Sequence, residues 1–272
     1  MRTALAEPRL TTSALSLRYD DRLVVPDLDL ELPTGDFTVI VGPNACGKST
    51  TLRALARIMR PDGGAVLLDG TSIKNIPTKE LARTLGLLPQ SPVAPETVTV
   101  RDLVGRGRYP HQSFLRQWSD SDERAVRDAM DATGVTALAD RLMEELSGGQ
   151  RQRAWLAMVL AQEVPLLLLD EPTTFLDVTH QLDVLDLVAG LRDRGLTVVA
   201  VLHDLNLACR YADHLVCMRD GRVVDSGSPG DIVTADLVER VFDLPCRVID
   251  DPETGTPLVI PARRRVKQPI AV

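Results

Sequence analysis

A glycine-rich segment at residues 42–49, with the sequence GPNACGKS, constrains the fold of this chain more than any other feature. It follows the β-branched run Phe37–Val41 and precedes residues 49–59, where apolar side chains recur at helical spacing. Its pattern is G-x-x-x-x-G-K-[ST], which between a strand and a helix is typical of a phosphate-binding loop. The glycines let backbone N–H groups turn inward around phosphates, and the helix N-terminus adds positive potential. The sequence therefore predicts an α/β fold built around this loop.

The same segment predicts a nucleoside triphosphate ligand with Mg²⁺. We expect Lys48 to reach the β- and γ-phosphate oxygens, and the Ser49 hydroxyl to ligate Mg²⁺. The motif is shared by kinases, GTPases and ATPases, so it does not by itself choose among them. The other predicted nucleotide contacts of this loop are Gly42, Pro43, Asn44, Ala45, Cys46, Gly47 and Thr50.

An acidic pair, Asp170 and Glu171, follows the continuously apolar run Leu166–Leu169. Such a run is typical of a strand that is covered on both faces of a parallel sheet. A carboxylate at the end of such a strand is suited to hold Mg²⁺, which is the role we expect of Asp170. Glu171 lies one residue further into the loop, where a carboxylate can orient and deprotonate an attacking water.

A second candidate anion site lies at residues 147–150, before a strongly patterned helix at residues 152–162. Ser147 is expected to cap this helix, while Gly148 and Gly149 leave backbone N–H groups accessible to a ligand next to Gln150. One nucleotide does not need two such termini from a single chain. The second terminus therefore indicates a nucleotide held by another copy.

Charge and composition argue against nucleic-acid-binding, membrane-spanning and disulfide-linked proteins. The chain has 272 residues and 44% hydrophobic residues, so a buried core is expected, and its formal charge of −7 disfavours binding to nucleic acid. The longest unbroken apolar run, residues 154–161, is far shorter than the roughly 18 residues of a membrane span, and no signal peptide is indicated. Neither a disulfide nor a metal site is predicted from Cys46, Cys209, Cys217 and Cys246.

The remaining patterns predict the organisation of the chain. Residues 13–19 and 27–32 alternate as antiparallel strands do, whereas strand signals vanish between about residues 97 and 142, which indicates a helical insertion. Further predicted elements are strands at residues 65–69, 85–88, 196–202, 216–218 and 222–224, helices at residues 119–134 and 181–194, and a hairpin of residues 246–250 and 258–260.

Three segments, GPNACGKST, LSGGQ and LLLLDEPTT, resemble in order and spacing the nucleotide-binding subunit of ABC transporters. The resemblance runs from about Leu15 to Phe242. It implies a P-loop NTPase core with an N-terminal antiparallel β-subdomain, a helical insertion and a small C-terminal β appendage. The implied boundaries are residues 10–242 for the ATPase domain, with the insertion at about 97–160, and residues 243–272 for the appendage, whose basic tail contains Arg263, Arg264, Arg265 and Lys267.

The resemblance also implies ligands and roles. ATP and Mg²⁺ are the implied cofactors, with Tyr19 stacking on adenine and Asp177 in a loop at the subunit interface. His203 and Gln90 are expected to sense the γ-phosphate, and Gln90 joins Ser49 and Asp170 as a metal ligand. The implied catalytic residues are Glu171, His203, Gln90 and Lys48. The residues themselves fit two of these roles, because Tyr19 offers an aromatic face for stacking and His203 stands at the end of a predicted strand.

A finer resemblance is carried by residues 99–104, 107–111, 175–181 and 203–213, which are similar to importer ATPases for iron–siderophore complexes, haem and vitamin B12. It implies a head-to-tail homodimer with ATP at the interface, at the cytoplasmic face of the cell membrane. The implied partners are a membrane permease and, indirectly, a solute-binding protein that delivers an iron–siderophore chelate. Residues 101–118 are the expected permease contacts, with Phe114, Leu115 and Trp118 as a candidate apolar groove or, for Trp118, as buried core.

The loop departs from the usual family pattern at two positions. Ala45 stands where many relatives carry Gly, which is expected to restrict the loop slightly. Cys46 stands where many carry Ser, and its simplest role is that of a small neutral filler. A free thiol at this place also predicts that alkylation inhibits hydrolysis, that ATP protects, and that Cys46→Ser removes the sensitivity.

Several alternatives stay open at this point. A soluble ABC-type ATPase acting on DNA or ribosomes is disfavoured by the acidic charge and by the spacing of about 100 residues between Lys48 and Ser147, too short for a long coiled coil. A P-loop kinase would leave residues 147–150 without a purpose. An exporter, or an importer of haem, vitamin B12 or a metal, fits the same motifs, and the sequence leaves the transported chelate open.

Overall fold

Three sheets organise the part of the chain that this computed structural model describes, residues 9–95, 97–112, 118–174 and 176–262. Their strands are β1 (Leu10–Tyr19), β2 (Arg22–Leu32), β3 (Phe37–Val41), β4 (Gly63–Leu68), β5 (Thr71–Ser72), β6 (Leu85–Leu88), β7 (Leu166–Asp170), β8 (Thr197–Val201), β9 (His214–Arg219), β10 (Arg222–Gly227), β11 (Cys246–Asp250) and β12 (Pro257–Pro261). The central sheet has the order β10-β9-β3-β8-β7-β6, and only its β10–β9 pair is antiparallel among the described strands. The mixed α/β architecture is the predicted one.

The helices are α1 (Lys48–Leu55), α2 (Thr78–Leu81), α3 (Val100–Gly105), α4 (Asp120–Ala132), α5 (Gly148–Leu160), α6 (Val178–Asp193), α7 (Leu205–Tyr211), α8 (Pro229–Ile232) and α9 (Ala235–Phe242). A 3₁₀ helix, Arg106–His111, joins α3 to the segment before α4. None of the helices in the described ranges is long and apolar enough to span a membrane. The helices α2, α7, α8 and α9 were not among the sequence predictions, because each spans only four to eight residues, too few for a helical period to be recognised.

The continuously apolar strands are buried on both faces, as predicted. In β7, Leu167 and Leu169 pack with the helices of one face, while Leu166 and Leu168 pack with α1 and the N-terminal strands. All five residues of β7 are buried, and each leucine removed from water contributes about 1.5–3 kcal/mol. This double burial fixes the position of the acidic pair at the strand end.

The N-terminal strands form a separate antiparallel sheet with the order β2-β1-β4-β5. The hairpin of β1 and β2 turns at Asp20–Asp21, as predicted, but both strands are longer than the alternation indicated. Helix α1 is shorter than the predicted helix of residues 49–59. It ends early because Arg57 adopts a left-handed conformation (φ 58°), where its guanidinium donates hydrogen bonds to the carbonyl oxygens of Ile73 and Ile76.

The helical insertion between β6 and β7 is held together by a buried ion pair. Arg108 is 4% exposed, and its Nε donates to Asp122 Oδ1 at 2.9 Å. Its Nη1 donates to the carbonyl oxygen of Ala161 at 2.7 Å and to Glu163 Oε2 at 2.6 Å. Burial by itself raises the pKa of Asp122, but hydrogen bonds from Ser119 and Arg108 outweigh it and hold that pKa below its ordinary value. This one side chain therefore joins the 3₁₀ helix, α4 and the end of α5.

The chain ends, within the described ranges, in the predicted hairpin of β11 and β12. Val259 of β12 is buried in the main core, whereas Ile249 and Ile260 are exposed. Three groups of predicted residues lie outside the described residues: Phe114 and Leu115 of the candidate groove, Phe175, and the basic tail from Arg263 onwards. Trp118 is 48% exposed, so the buried-core interpretation of this residue was wrong.

Candidate functional site

The glycine-rich loop opens onto a cavity of about 570 Å³ at the end of the central sheet. Side chains from four separate parts of the chain meet there, including Lys48, Gln90, Glu171 and His203. The cavity is lined by Tyr19, Arg22, Val24, Asn44, Ala45, Gly47, Lys48, Ser49, Thr50, Gln90, Glu171, Thr174 and His203. Most of the sequence-predicted contacts of one nucleotide are therefore close together.

Backbone geometry explains the glycines of the loop. A Cβ at Gly42 would lie 2.1 Å from the carbonyl oxygen of Met218, and Gly47 has a φ of 103°, so neither position accepts a side chain. Ala45 also has a left-handed backbone, with φ 62°. A residue with a Cβ pays about 1–2 kcal/mol for this conformation. The expected restriction of the loop by Ala45 thus has a defined structural basis.

Lys48 is buried at the base of the loop. Its Nζ donates hydrogen bonds of 2.9 Å to the carbonyl oxygens of Gly42 and Pro43, and the residue is 5% exposed. An ammonium group has three N–H bonds, so one remains for a ligand oxygen. The loop therefore holds a positive charge beside the cavity in a fixed orientation.

Asp170 carries a buried carboxylate in an unusual environment. The residue is 1% exposed, and among the described residues neither of its carboxylate oxygens has a hydrogen-bond partner. Burial raises the pKa of Asp170, and the Ser49 hydroxyl and the Arg53 guanidinium, whose Nε lies 3.9 Å from Oδ2, lower it by less. Oxygen ligands without partners, next to a serine hydroxyl, fit a hard divalent cation such as Mg²⁺.

Asp170→Asn is expected to stabilise the nucleotide-free protein at neutral pH by about 1–3 kcal/mol, because a buried carboxylate without hydrogen-bond partners becomes a neutral amide. Since the folded-state pKa is raised, the ionised carboxylate costs stability only above the ordinary aspartate pKa of about 3.9. The difference between the variant and the parent protein should therefore vanish as the pH falls toward that value. Urea unfolding across this range measures it, and a variant less stable at neutral pH would contradict the assignment.

Glu171 has three hydrogen-bond partners in the cavity. Gln90 Nε2 donates to its Oε2 at 2.6 Å, and His203 Nε2 lies 2.7 Å from its Oε1. The Thr174 hydroxyl donates to Oε2 at 3.1 Å. Gln90 and His203 follow β6 and β8, the two neighbours of β7 in the sheet, which is why residues far apart in sequence meet here. Sequence reasoning found Glu171, Gln90 and His203 but missed Thr174.

The segment of residues 147–150 is not among the described residues that line this cavity. Ser147 Oγ accepts from the Gln150 N–H at 3.3 Å, and Gln150 Oε1 accepts from the Ser147 N–H at 3.1 Å, which caps α5 as predicted. Ser147 and Gly148 are exposed. A Cβ at Gly149 would lie 3.0 Å from the ring of His180, so this glycine packs directly on that ring.

Asp177 lies near this second segment rather than in the cavity. Its Oδ1 accepts from the His180 N–H at 2.9 Å, which caps α6, and lies 2.7 Å from His180 Nδ1. These hydrogen bonds from His180 hold the pKa of Asp177 below its ordinary value. Because His180 also contacts Gly149, one ring joins the two predicted trans-acting segments within a single chain.

Cys46 is packed inside the loop rather than presented to the cavity. The residue is 5% exposed, and burial raises the pKa of its thiol more than the charge of Lys48 lowers it. A thiolate is the reactive form of cysteine, so this environment makes the thiol unreactive. The structure therefore argues against the expected sensitivity to alkylation and favours the role of a neutral filler.

In the native protein we expect Cys246, which is partly exposed, to be alkylated before Cys46, Cys209 and Cys217, which are buried. Burial raises the pKa of Cys209 and of Cys217 to about 12, which slows their reaction further. Mass spectrometry of peptides after a timed exposure to iodoacetamide measures the order, and exposure in denaturant provides the control in which all four react. Modification of Cys46 ahead of Cys246 would show that the loop opens readily.

Two lining residues besides Thr174 were missed from the sequence. Arg22 and Val24 of β2 lie at the cavity beside Tyr19, which is 44% exposed. Alternation along a strand indicates which residues face outward but not what lies opposite them. Their place at the cavity follows from the packing of the N-terminal sheet on α1.

The sequence of this chain matches a known protein family and named ATP-binding proteins. The sequence profile of the ABC transporter family matches residues 25–174. The ferric enterobactin transport ATP-binding protein FepC of Escherichia coli (strain K12) is 55% identical over 257 residues, covering 94% of this chain and 95% of that protein. The petrobactin import ATP-binding protein FpuD of Bacillus anthracis is 50% identical over 265 residues, covering 96% and 97%.

A solved structure shows the same architecture. An ABC transporter described as of the metal-chelate type, in an inward-facing conformation, superposes with a TM-score of 0.81 at 29% identity, covering 95% of this chain and 98% of that chain. The family match includes the loop, the acidic pair and the segment of residues 147–150. The chain therefore belongs to the ABC transporter family, as an ATP-binding and ATP-hydrolysing subunit.

Proposed function

We propose that this chain powers the import of an iron–siderophore-type chelate through a membrane permease. The observation that carries the proposal is the 55% identity, over nearly the whole chain, to a protein named for ferric enterobactin transport. The second relative is named for petrobactin import. The class of cargo is inferred from these names alone. The cavity gives no information about it, because none of its residues needs to touch the cargo.

The proposed working unit is a head-to-tail homodimer with ATP at the interface. Lys48 and Ser49 of one copy would bind the phosphates, and the helix terminus at Ser147 and Gly149 of the other copy would complete the site. The exposure of Ser147, away from its own cavity, supports this arrangement. Gln150, Gly148 and Asp177 would belong to the same trans-acting surface, and Tyr19 would stack on adenine.

In the proposed mechanism, Glu171 takes a proton from the attacking water while the water oxygen bonds to the γ-phosphorus. The bond between that phosphorus and the bridging oxygen breaks, which leaves ADP and phosphate. Its carboxylate becomes available when Gln90 and His203 turn from it toward the γ-phosphate. Ser49, Asp170 and Gln90 would hold Mg²⁺, which when bound would neutralise charge at the phosphates. Lys48 stabilises the charge that develops on the transferred phosphoryl group.

We place the proposed permease contacts at residues 101–118, and the chain at the cytoplasmic face of the cell membrane. Trp118 supports the contact surface, because nearly half of this large aromatic side chain is exposed and its ring packs against Gly105. Trp118→Ala should reduce coupling to transport and leave basal ATP hydrolysis unchanged. If this variant supports transport at the rate of the parent protein, Trp118 is not part of a permease contact.

The whole proposal is tested by holding the ATP-bound protein together with its partners. Tagged Glu171→Gln protein is purified from native membranes with ATP, and everything that stays bound is identified by mass spectrometry, with the parent protein in ADP as the control. A multi-span permease and a solute-binding protein that retains a ferric chelate are the expected result. Recovery of DNA-repair or ribosomal components, with no permease, would overturn the transport proposal and leave only the ATPase.

A further inference from the structure

One amide side chain, that of Asn206, hydrogen-bonds the C-terminal hairpin to α7. Asn206 Oδ1 accepts from the Val259 N–H at 2.8 Å, and Asn206 Nδ2 donates to the Val259 carbonyl oxygen at 3.2 Å. A single residue of a strand directs its N–H and C=O to the same side, so one amide can bind both groups as a neighbouring strand would. The contact joins residues 53 positions apart in the sequence.

The attachment point lies three residues after His203. Asp204 caps α7, because its Oδ1 accepts from the N–H groups of Asn206 at 2.8 Å and of Leu207 at 3.0 Å. His203 therefore stands directly before a short helix whose first turn is fixed at two points. One point is the Asp204 cap, and the other is the hairpin.

Packing against the main core and a hydrogen bond of 2.7 Å from the Tyr211 hydroxyl to Asp186 Oδ1 also hold this helix. It is seven residues long, which is too short to be stable by itself. Ala208 and Cys209 of this helix are buried in the main core, in which Val259 is 5% exposed, and Leu205 and Leu207 are partly buried against the same core. Packing fixes where α7 lies, whereas the Asp204 cap and the Asn206 amide supply directional hydrogen bonds at its first turn.

We propose that Asn206 is a positioning residue for His203, and that the C-terminal hairpin serves to hold the His203 loop at the Glu171 carboxylate. This inference rests on the proposed role of His203 in hydrolysis. It gives the appendage a function within the ATPase cycle, because the hairpin then determines how accurately His203 faces the γ-phosphate.

The test compares Asn206→Ala with a matched control, Arg210→Gln. Arg210 lies on the same helix, one turn further from His203, and its Nε is 4.0 Å from Asp251 Oδ2 of the segment joining the two hairpin strands. Asn206→Ala should lower kcat for ATP hydrolysis about tenfold with the KM for ATP changed less than about twofold, since a reacting group is misplaced while binding is kept. Arg210→Gln should leave kcat within about twofold.

Making the same substitution in a His203→Ala protein distinguishes the positioning of His203 from a purely structural role of Asn206. If Asn206 acts through His203, Asn206→Ala should lower kcat by less than about twofold in a His203→Ala protein. A full additional loss there, or a kcat equal to that of the parent in the single variant, would overturn the inference. If His203→Ala alone leaves kcat unchanged, the proposed role of His203 falls first.

A second measurement does not depend on activity. The chain has four histidines, so imidazole resonances can be assigned with His203→Ala as the reference. Asn206→Ala should shift or broaden the His203 resonance in the nucleotide-free protein and leave those of His111 and His180 unchanged. An unchanged His203 resonance would overturn the inference even if the variant were less stable.

Discussion

Glu171→Gln is expected to lower kcat for ATP hydrolysis by about 10²–10⁴-fold, which is the usual contribution of a general base. The amide is nearly the same size as the carboxylate and cannot take a proton from water. Binding of ATP should change little, because Lys48 and the loop are untouched. Single-turnover hydrolysis and equilibrium binding of ATP, measured on the same preparation, separate the two effects.

The matched control is Glu31→Gln, which changes the charge equally on the exposed face of β2. It should hydrolyse ATP at the rate of the parent protein. If Glu171→Gln retains more than about a tenth of the parent kcat, Glu171 is not the base, and the proton must go elsewhere. Loss of ATP binding in this variant would instead indicate that Glu171 maintains the shape of the cavity.

Arg108→Met is expected to lower the free energy of unfolding by about 3–5 kcal/mol, because Asp122 is left as a buried charge without its cation. Methionine keeps most of the volume of the arginine stem, so packing changes little. Urea unfolding measures the loss. Adding Asp122→Asn should recover at least about 1 kcal/mol of it, since the second change removes the uncompensated charge.

A neighbouring exposed ion pair provides the contrast. Arg101 lies in the same insertion, with Nη1 3.3 Å from Glu123 Oε1, and its side chain is 53% exposed. Arg101→Met should change stability by less than about 1 kcal/mol, as exposed pairs do. Equal losses in the two variants would show that burial of Arg108 is not what makes its contacts important.

The sequence predicted those parts of the molecule whose residue types are determined by neighbours along the chain. The loop before α1 needs glycines because of its own backbone angles, and β7 and β8 are mostly apolar because both of their faces are covered. The acidic pair and His203 then follow from their places at strand ends. In these cases a residue type is required by its immediate neighbours along the chain.

The parts that sequence missed depend on contacts between distant residues. Thr174 lies in a turn with no periodic pattern, and only its hydroxyl contact with Glu171 shows its place in the site. Helix α1 ends early because Arg57 finds carbonyl partners near residues 73–76. The Asn206 contact joins α7 to β12, and an asparagine near a helix start is otherwise a common surface residue. None of these partners can be chosen before the chain has folded.

The triple hold on Glu171 has a consequence for the nucleotide-free protein, namely a base that is shielded from water. Hydrogen bonds to a charged group each contribute about 1.5–3 kcal/mol, so freeing the carboxylate from both Gln90 and His203 costs about 3–6 kcal/mol. The base is then exposed to water in only about 10⁻²–10⁻⁴ of empty molecules. Since the two partners follow different strands, motion of one loop alone does not release it. In the proposed mechanism a bound γ-phosphate would draw Gln90 and His203 away together, so the base would become available only when the substrate is in place.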